Sequence, residues 1–396
     1  MEKIRSFDKD LNIENKKIIL RSDFNVPVKN ELIQDKTRID VSIPFIQNLL
    51  KRKAKVILIS HLGRPKSSKD KDLSLKPVFN YLQEKINYKI YFYSDKITKG
   101  TLEKISFLNT SEIIFFENIR FNEGETKNDE NLAKNLSSLG DIYINDAFSC
   151  SHRKQASIHK IAKYIQNSYA GPLFMKEVLA IDMILNNKKK PITCIIGGSK
   201  ISTKIAVITS LIKKVDNLII VGAMANNFVK FQGKKIGKSL VESGSEKIIK
   251  EIYKNATTHN CEIITPLDFA VSKSANGEAN FKGLNNVMKN EIILDIGPQT
   301  IYKIEKIVDA SRTVLWNGPA GYFENHNFLK GTISIAKKIS DNTKSNSLIS
   351  IVGGGDTISA IKNNVIDISF THLSTAGGAF LEYIEGKNLP GIEVLK

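Results

Sequence analysis

The sequence is short of several things, and each shortage excludes something. Cysteine is scarce: Cys150, Cys194 and Cys261 are the only three, odd in number, far apart and without a CxxC. That excludes a disulfide framework or a cysteine-based zinc site, and it suits a reducing compartment. No apolar run approaches ~20 residues, so no membrane-spanning helix is expected. The opening MEKIRSFDKDLNIENKK lacks the apolar stretch of a signal peptide, and a cytoplasmic location is the expectation. No GxxxxGK[ST] string supports a Walker-type loop, and no GxGxxG supports a dinucleotide dehydrogenase. Acidic residues are also few, 41 against 58 Lys and Arg, for a formal charge of +17. The excess is mostly lysine scattered among Asn and Ile, which reads as compositional drift. No tract interleaves basic with aromatic residues as a stacking surface would, so no specific nucleic-acid partner is expected.

What is present is a globular α/β chain. Its 396 residues, 41% hydrophobic and 25% charged, exceed one ordinary core, so two domains are expected. In the first half, apolar runs at 16–25, 54–63, 88–95, 111–121 and 140–148 read as strands. Helical stretches at 41–53 and 75–86 separate them, and the loop 65–74 is polar. Buried strands alternating with helices imply a doubly wound parallel sheet. Near 170–172 the rhythm changes to helical periodicity over 173–187, followed by the solvated run 188–190 and Pro191. This predicts a first domain over 1–171, an interdomain helix over 172–187 and a second α/β domain over 188–387. The partly apolar tail 388–396 is expected to dock.

Chemistry concentrates at predicted strand ends. Residues 347–360, SLISIVGGGDTISA, run from an apolar β-branched stretch through three glycines into Asp356, Thr357 and a helical segment. Glycines let backbone N–H groups approach an anion, a helix start adds its dipole, and Asp356 is placed to hold the Mg²⁺ of a nucleotide. A plain strand-to-helix turn with an Asp cap has the same composition. ITCIIGGSK (192–200), NLIIVGAMAN (217–226) and TVLWNGPAG (313–321) repeat the pattern, and several such ends on one sheet edge describe a nucleotide crevice. Within 197–212 a glycine turn feeds an amphipathic helix in which Lys200 and Lys204, four apart, share a face. In the first half Arg21, Asp23, Asn25, Arg38, His61, Arg64, Arg120 and Arg153 follow strands and converge on one edge. Taken singly, each arginine suits a surface salt bridge, and together they suit phosphate and carboxylate recognition. An anion site in one half and a nucleotide site in the other suit phosphoryl transfer.

Eight strings now stand in order: RSDFNVP (21–27), SHLGRP (60–65), ENIRF (117–121), GDIYINDAF (140–148), GGSKISTK (197–204), LWNGPAGYFE (315–324), GGGDT (353–357) and LSTAGGAFLEYIEGK (373–387). In them the chain resembles the phosphoglycerate kinase family over essentially its whole length. The resemblance implies two Rossmann-like doubly wound parallel-sheet domains joined by a helix, with the last residues returning to the first domain. It implies the glycolytic and gluconeogenic reaction 1,3-bisphosphoglycerate plus ADP giving 3-phosphoglycerate plus ATP, reversibly, with Mg²⁺ and hinge closure, in a monomer. Matching positions assign Asp23, Asn25, Arg38, His61, Arg64, Arg120 and Arg153 to phosphoglycerate. Lys204 falls to the nucleotide phosphates and Lys200 to the transferring group, and with Arg38 these form the catalytic set. Asp356 is assigned to the metal–nucleotide complex, and Gly354, Gly355 and Thr357 to the phosphates. Glu324 is assigned to the ribose, and Gly198 and Gly222 to the adenine slot.

The departures from the family pattern are Gln155 for His, Ser151 for Ala, Ala376 for Gly, Asn227 for Thr, and Ile293 where a small residue is common. Ala376 matters most if its position requires a positive φ. The competing readings are a different small-molecule kinase on the same frame, a basic nucleic-acid-binding protein and an inactive homologue. The retained Arg38, Lys200, Lys204 and Asp356 weigh against the last.

Overall fold

In the computed structural model, which describes residues 3–67, 70–186, 189–362, 364 and 367–396, the chain divides into two compact units. One holds the residues up to Val178 together with Asn388–Lys396, and the other holds Leu179–Lys387. Lys188 of the expected lysine run, Asn187 at the expected helix end, and Ser68 and Lys69 of the polar loop lie outside the described residues.

The first unit is built on strands β1 (Lys17–Arg21), β4 (Lys55–Ile59), β5 (Ile90–Tyr93), β6 (Ile113–Phe116), β7 (Ile142–Asn145) and β8 (Ser168–Ala170); a hairpin of β2 (Val28–Lys29) and β3 (Leu32–Ile33) stands apart. The six form one parallel sheet in the order β5-β6-β4-β1-β7-β8. β6 and β7 are buried at every position, which is why they read as continuous apolar runs rather than alternating ones. Helices Ile43–Lys51 and Lys76–Lys85 bury Leu49, Leu50, Val78 and Leu82 against the sheet in the core with Ile18, Leu20, Val56 and Leu58. The C-terminal tail packs on this unit. Gly391 donates to the Ser151 carbonyl at 2.9 Å, Arg5 N–H donates to the Leu395 carbonyl at 2.7 Å, and Leu395 and Ile392 are buried.

The second unit carries β9 (Ile192–Ile196), β10 (Asn217–Ile220), β11 (Glu262–Ile264), β12 (Asp268–Ser272), β13 (Asn280–Gly283), β14 (Ile292–Ile296), β15 (Thr313–Asn317), β16 (Ile349–Gly353) and β17 (His372–Ser374). Its parallel sheet runs β11-β10-β9-β15-β16-β17, and β13-β12-β14 make a separate antiparallel sheet. The chain winds outward to β10 and β11 on one side of β9 and to β15, β16 and β17 on the other. The crevice beyond the ends of β9 and β15 is therefore a topological switch point. The first sheet has its own between β1 and β7.

Two expectations are modified. The apolar stretch 261–271 is two strands in different sheets, β11 and β12, split at Thr265-Pro266-Leu267, where proline ends the first run. The helix after β9 begins at Ile205, not near Lys200. The helix Pro172–Leu185 is divided between the two units at Val178 and Leu179. Ala376 has no positive φ; Gly377 takes that conformation at φ +55°. Among the described residues no helix is long and apolar enough to cross a membrane.

Candidate active site

In the first unit the residues after the strand ends interlock. Asp23, just beyond β1, accepts from Arg38 at 2.9 Å and from the Ser149 hydroxyl at 2.5 Å on one oxygen, and from Asn25 N–H at 3.1 Å on the other. Arg38, on the short helix Thr37–Asp40, also donates to the Asn25 carbonyl at 3.1 Å. The Asn25 amide oxygen accepts from Gly63 N–H at 2.8 Å, and the Gly63 carbonyl accepts from Arg120. One continuous chain of contacts thus joins Arg38, Asp23, Asn25 and Arg120. Arg64, Arg120, Arg153 and Gln155 share the wall of a cavity of about 470 Å³ with Lys66 and Lys127.

This wall is electrically unbalanced. Burial, chiefly, lowers the Arg120 guanidinium to about 10, still cationic at neutral pH. Its Nε and NH2 are buried with no hydrogen-bond partner, donors of the kind an incoming oxyanion would satisfy. His61 is 3% exposed. Burial, then the charges of Arg21, Arg120, Arg153 and Arg38, holds its imidazole well below the usual histidine range, so the ring is neutral. Asp23, His61 and Cys150 bring ligating atoms within 4.8 Å of one another. Arg21 already engages His61 and Cys150 and Arg38 engages Asp23, and the surrounding cations make this a place for an anion rather than a metal.

In the second unit the ends of β9, β10 and β15 meet through backbone alone. Gly222 has φ +68°, and a Cβ there would lie 2.9 Å from Gly198 N and 3.1 Å from the Pro319 carbonyl oxygen. Gly198 itself sits at φ +142°. Only residues without a Cβ let three loops approach this closely. Lys204 stands at the residue before the helix Ile205–Ile212, and its ammonium donates to the Gly197 carbonyl at 2.6 Å and to Asn317 Oδ1 at 2.7 Å. Burial lowers it to about 8, with Asp356 pulling the other way. Gly354, at φ +102°, leads into the helix Gly355–Lys362. Asp356 is exposed on its first turn, while Thr357 is buried and accepts Gly318 N–H at 2.8 Å.

Beside these groups lies a cleft of about 380 Å³, bordered by Gly198, Gly222, Leu240, Ile293, Tyr322, Glu324 and Asp356. It is apolar along Leu240, Phe269 and Ile293 and polar at the Asp356 end, which suits a flat base at one end and phosphates at the other. Lys200 does not share a face with Lys204: it lies in the turn before the helix and is exposed. Glu324 is exposed at the cleft rim. Sequence reasoning passed over Asn317, which anchors Lys204, and Ser149, Glu125 and Ser157 around Asp23 and Arg21. Asn317 sits in the quoted LWNGPAGYFE string and was open to detection. The other three lie in polar stretches with no periodic signal.

The family model for phosphoglycerate kinase matches residues 8–387. A phosphoglycerate kinase of Wolbachia sp. subsp. Drosophila simulans is 44% identical over 387 residues, 97% of this chain and 97% of that one. One from Francisella tularensis subsp. novicida is 42% identical over 391 residues, 98% of this chain and 97% of that one. The solved structure of phosphoglycerate kinase from Coxiella burnetii matches with a TM-score of 0.89 at 39% identity, covering 99% of both chains. Agreement of motifs, fold and full-length similarity means that the chain belongs to the phosphoglycerate kinase family.

Proposed function

We propose that this chain transfers a phosphoryl group reversibly between 1,3-bisphosphoglycerate and ADP, forming 3-phosphoglycerate and ATP. The arginine-lined crevice of the first unit takes the phosphoglycerate and the cleft of the second takes the nucleotide. The observation that carries this assignment is Arg120, whose buried guanidinium has two unpaired nitrogens beside the neutral His61 and the paired Arg38 and Asp23. Such a wall recognises an oxyanion and has no evident structural purpose without one.

The acceptor carboxylate has no proton to lose, so no general base is required. The obstacle is the meeting of two anions in line. Arg38, Arg64, Arg120 and Arg153 balance the phosphoglycerate, with Asp23 and Asn25 fixing Arg38. Lys204 and the N-terminus of the helix Gly355–Lys362 balance the nucleotide phosphates, with Gly354 and Gly355 admitting their oxygens and Thr357 tying that turn to Gly318. Lys200, exposed ahead of the helix Ile205–Ile212, follows the transferring group. Gly198 and Gly222 leave room for adenine and Glu324 faces the ribose. Asp356 fits Mg²⁺: an exposed, hard carboxylate beside a phosphate site supplies the single protein ligand this ion commonly takes. When bound, the ion neutralises charge on the nucleotide phosphates. Direct transfer requires the substrates to meet, so the proposal includes closure of one unit toward the other. The proposal places the chain in the cytoplasm as a monomer; its three buried free cysteines accord with a reducing compartment.

ATP formation from ADP and 1,3-bisphosphoglycerate tests the reading. Turnover that disappears in Lys204→Met, with 3-phosphoglycerate still raising the melting temperature, is the expected result. Full turnover in that variant would remove Lys204 from the site.

A further inference from the structure

Arg21 is fully buried at the end of β1, and its contacts point inward to protein groups. Its Nε donates to Ser157 Oγ at 3.1 Å, its NH1 to the Ser22 carbonyl at 2.5 Å, and its NH2 meets His61 Nδ1 at 3.2 Å. Behind it, Glu125 is fully buried and accepts from Ser157 Oγ at 2.6 Å and Ser157 N–H at 2.9 Å. Tyr143 donates to the Ser157 carbonyl at 2.7 Å. A guanidinium has donors only. The His61 nitrogen facing Arg21 must therefore be the bare acceptor, and the ring proton must sit on Nε2.

We propose that Arg21, braced by Ser157 and Glu125, is a positioning residue that fixes His61 as the neutral Nε2–H tautomer, so that the imidazole donates a hydrogen bond to the anionic substrate. The role toward substrate rests on the phosphoglycerate reading; the tautomer does not. The four guanidinium groups facing the ring agree with a neutral state. Arg21, Arg120, Arg153 and Arg38 all disfavour the imidazolium. Cys150 Sγ lies 3.9 Å from both ring nitrogens, Asp23 is committed to Arg38 and Ser149, and Glu125 is held by Ser157. A neutral donor is compatible with this crowd of cations, and it distinguishes an oxygen acceptor in the ligand from a group that can only donate.

The test is ¹⁵N NMR of the histidine ring nitrogens in the whole protein, with the His61 signals assigned by their absence in His61→Asn. The expected spectrum at neutral pH shows an unprotonated Nδ1 and a protonated Nε2. A protonated Nδ1, or both nitrogens protonated, overturns the proposal whatever the enzyme's activity. Arg21→Lys keeps the charge but loses the fork, and it should convert the signals to a mixture of tautomers. If that variant fails to fold, Ser157→Ala loosens the same brace from behind. For the substrate step, Arg21→Lys should raise the Kd for 3-phosphoglycerate about tenfold and leave that for ADP unchanged. In a His61→Asn background the same change should alter it less than about twofold, because coupled residues are not additive. Equal effects in both backgrounds would overturn action through His61. Failure of the parent chain to bind 3-phosphoglycerate would instead sink the phosphoglycerate reading and leave the tautomer result standing.

Discussion

Lys204 and Asn317 are joined by a 2.7 Å hydrogen bond from the ammonium to the amide oxygen, which ties the helix after β9 to the end of β15. With the Gly197 carbonyl as second acceptor, the ammonium is held inside the crevice although burial lowers it to about 8. Folded, Lys204 loses its proton near pH 8; unfolded, it keeps it to about 10.5. Across that window the unfolded chain holds the extra proton, so this group makes stability rise with pH. Phosphate binding needs the charged form. The Kd for ADP should therefore weaken by up to about tenfold per pH unit above pH 8, a step that calorimetry across pH 7–9.5 would detect and that Lys204→Met should abolish.

Gly222→Ala should damage only the nucleotide side. A left-handed φ costs a non-glycine residue roughly 1–2 kcal/mol, and the new Cβ would press on Gly198 N at 2.9 Å. Loss of ADP affinity and a lower melting temperature are expected, with 3-phosphoglycerate stabilisation retained. Unchanged ADP affinity would mean that the three loops give way more easily than their spacing implies.

Arg38→Ala should lower kcat by roughly 10²–10³-fold, the range for losing one electrostatic contact of ~2.7–4 kcal/mol. Its ion pair with Asp23 leaves the Arg38 side chain 27% exposed, and such a pair contributes only about 0–1 kcal/mol to folding. The melting temperature should hardly move. A large loss of stability accompanying the loss of turnover would show that Arg38 is structural.

Asp146 follows β7 and accepts from Leu173 N–H at 2.7 Å and Phe174 N–H at 3.1 Å, at the start of the helix Pro172–Leu185. Burial raises its carboxyl to about 7. Unfolded, it ionises near pH ~4. Between those values the folded chain holds the extra proton, so the stabilisation is complete below about pH 4 and lost as pH rises through 7. Asp146→Asn should flatten the fall in melting temperature between pH 4 and 7. The buried Asp295, also raised to about 7, contributes to the slope that remains, together with Glu125 and Asp182, which burial also raises. An undiminished slope in the variant would clear Asp146 of this role.

The elements that were legible in the sequence are those whose signal is local. β6 and β7 are buried on both faces, so they appear as unbroken apolar runs ending at polar residues, and those ends mark the site. The start of the helix after β9 was hidden because its cause is distant. Ser202 donates from N–H and hydroxyl to Glu242, at 3.0 and 2.6 Å, and Ile201 is buried, which holds residues 201–204 in a turn. That turn separates Lys200 from Lys204. β13 was equally hidden, being short and half-exposed, with its pairing set by β12. Glu125 and Ser157 were invisible because they meet Arg21 across more than a hundred residues. Contacts of that range leave no spacing to read.

The most direct test of phosphoryl transfer is acyl-phosphate trapping. The protein receives Mg²⁺, ATP and an acceptor acid, with hydroxylamine present to convert any acyl phosphate to a hydroxamate. Hydroxamate formed with 3-phosphoglycerate, and absent when the metal is omitted or other phosphorylated acids replace it, is the predicted result. Hydroxamate with a different acid and none with 3-phosphoglycerate would assign another acceptor, and none with any acid would contradict the account.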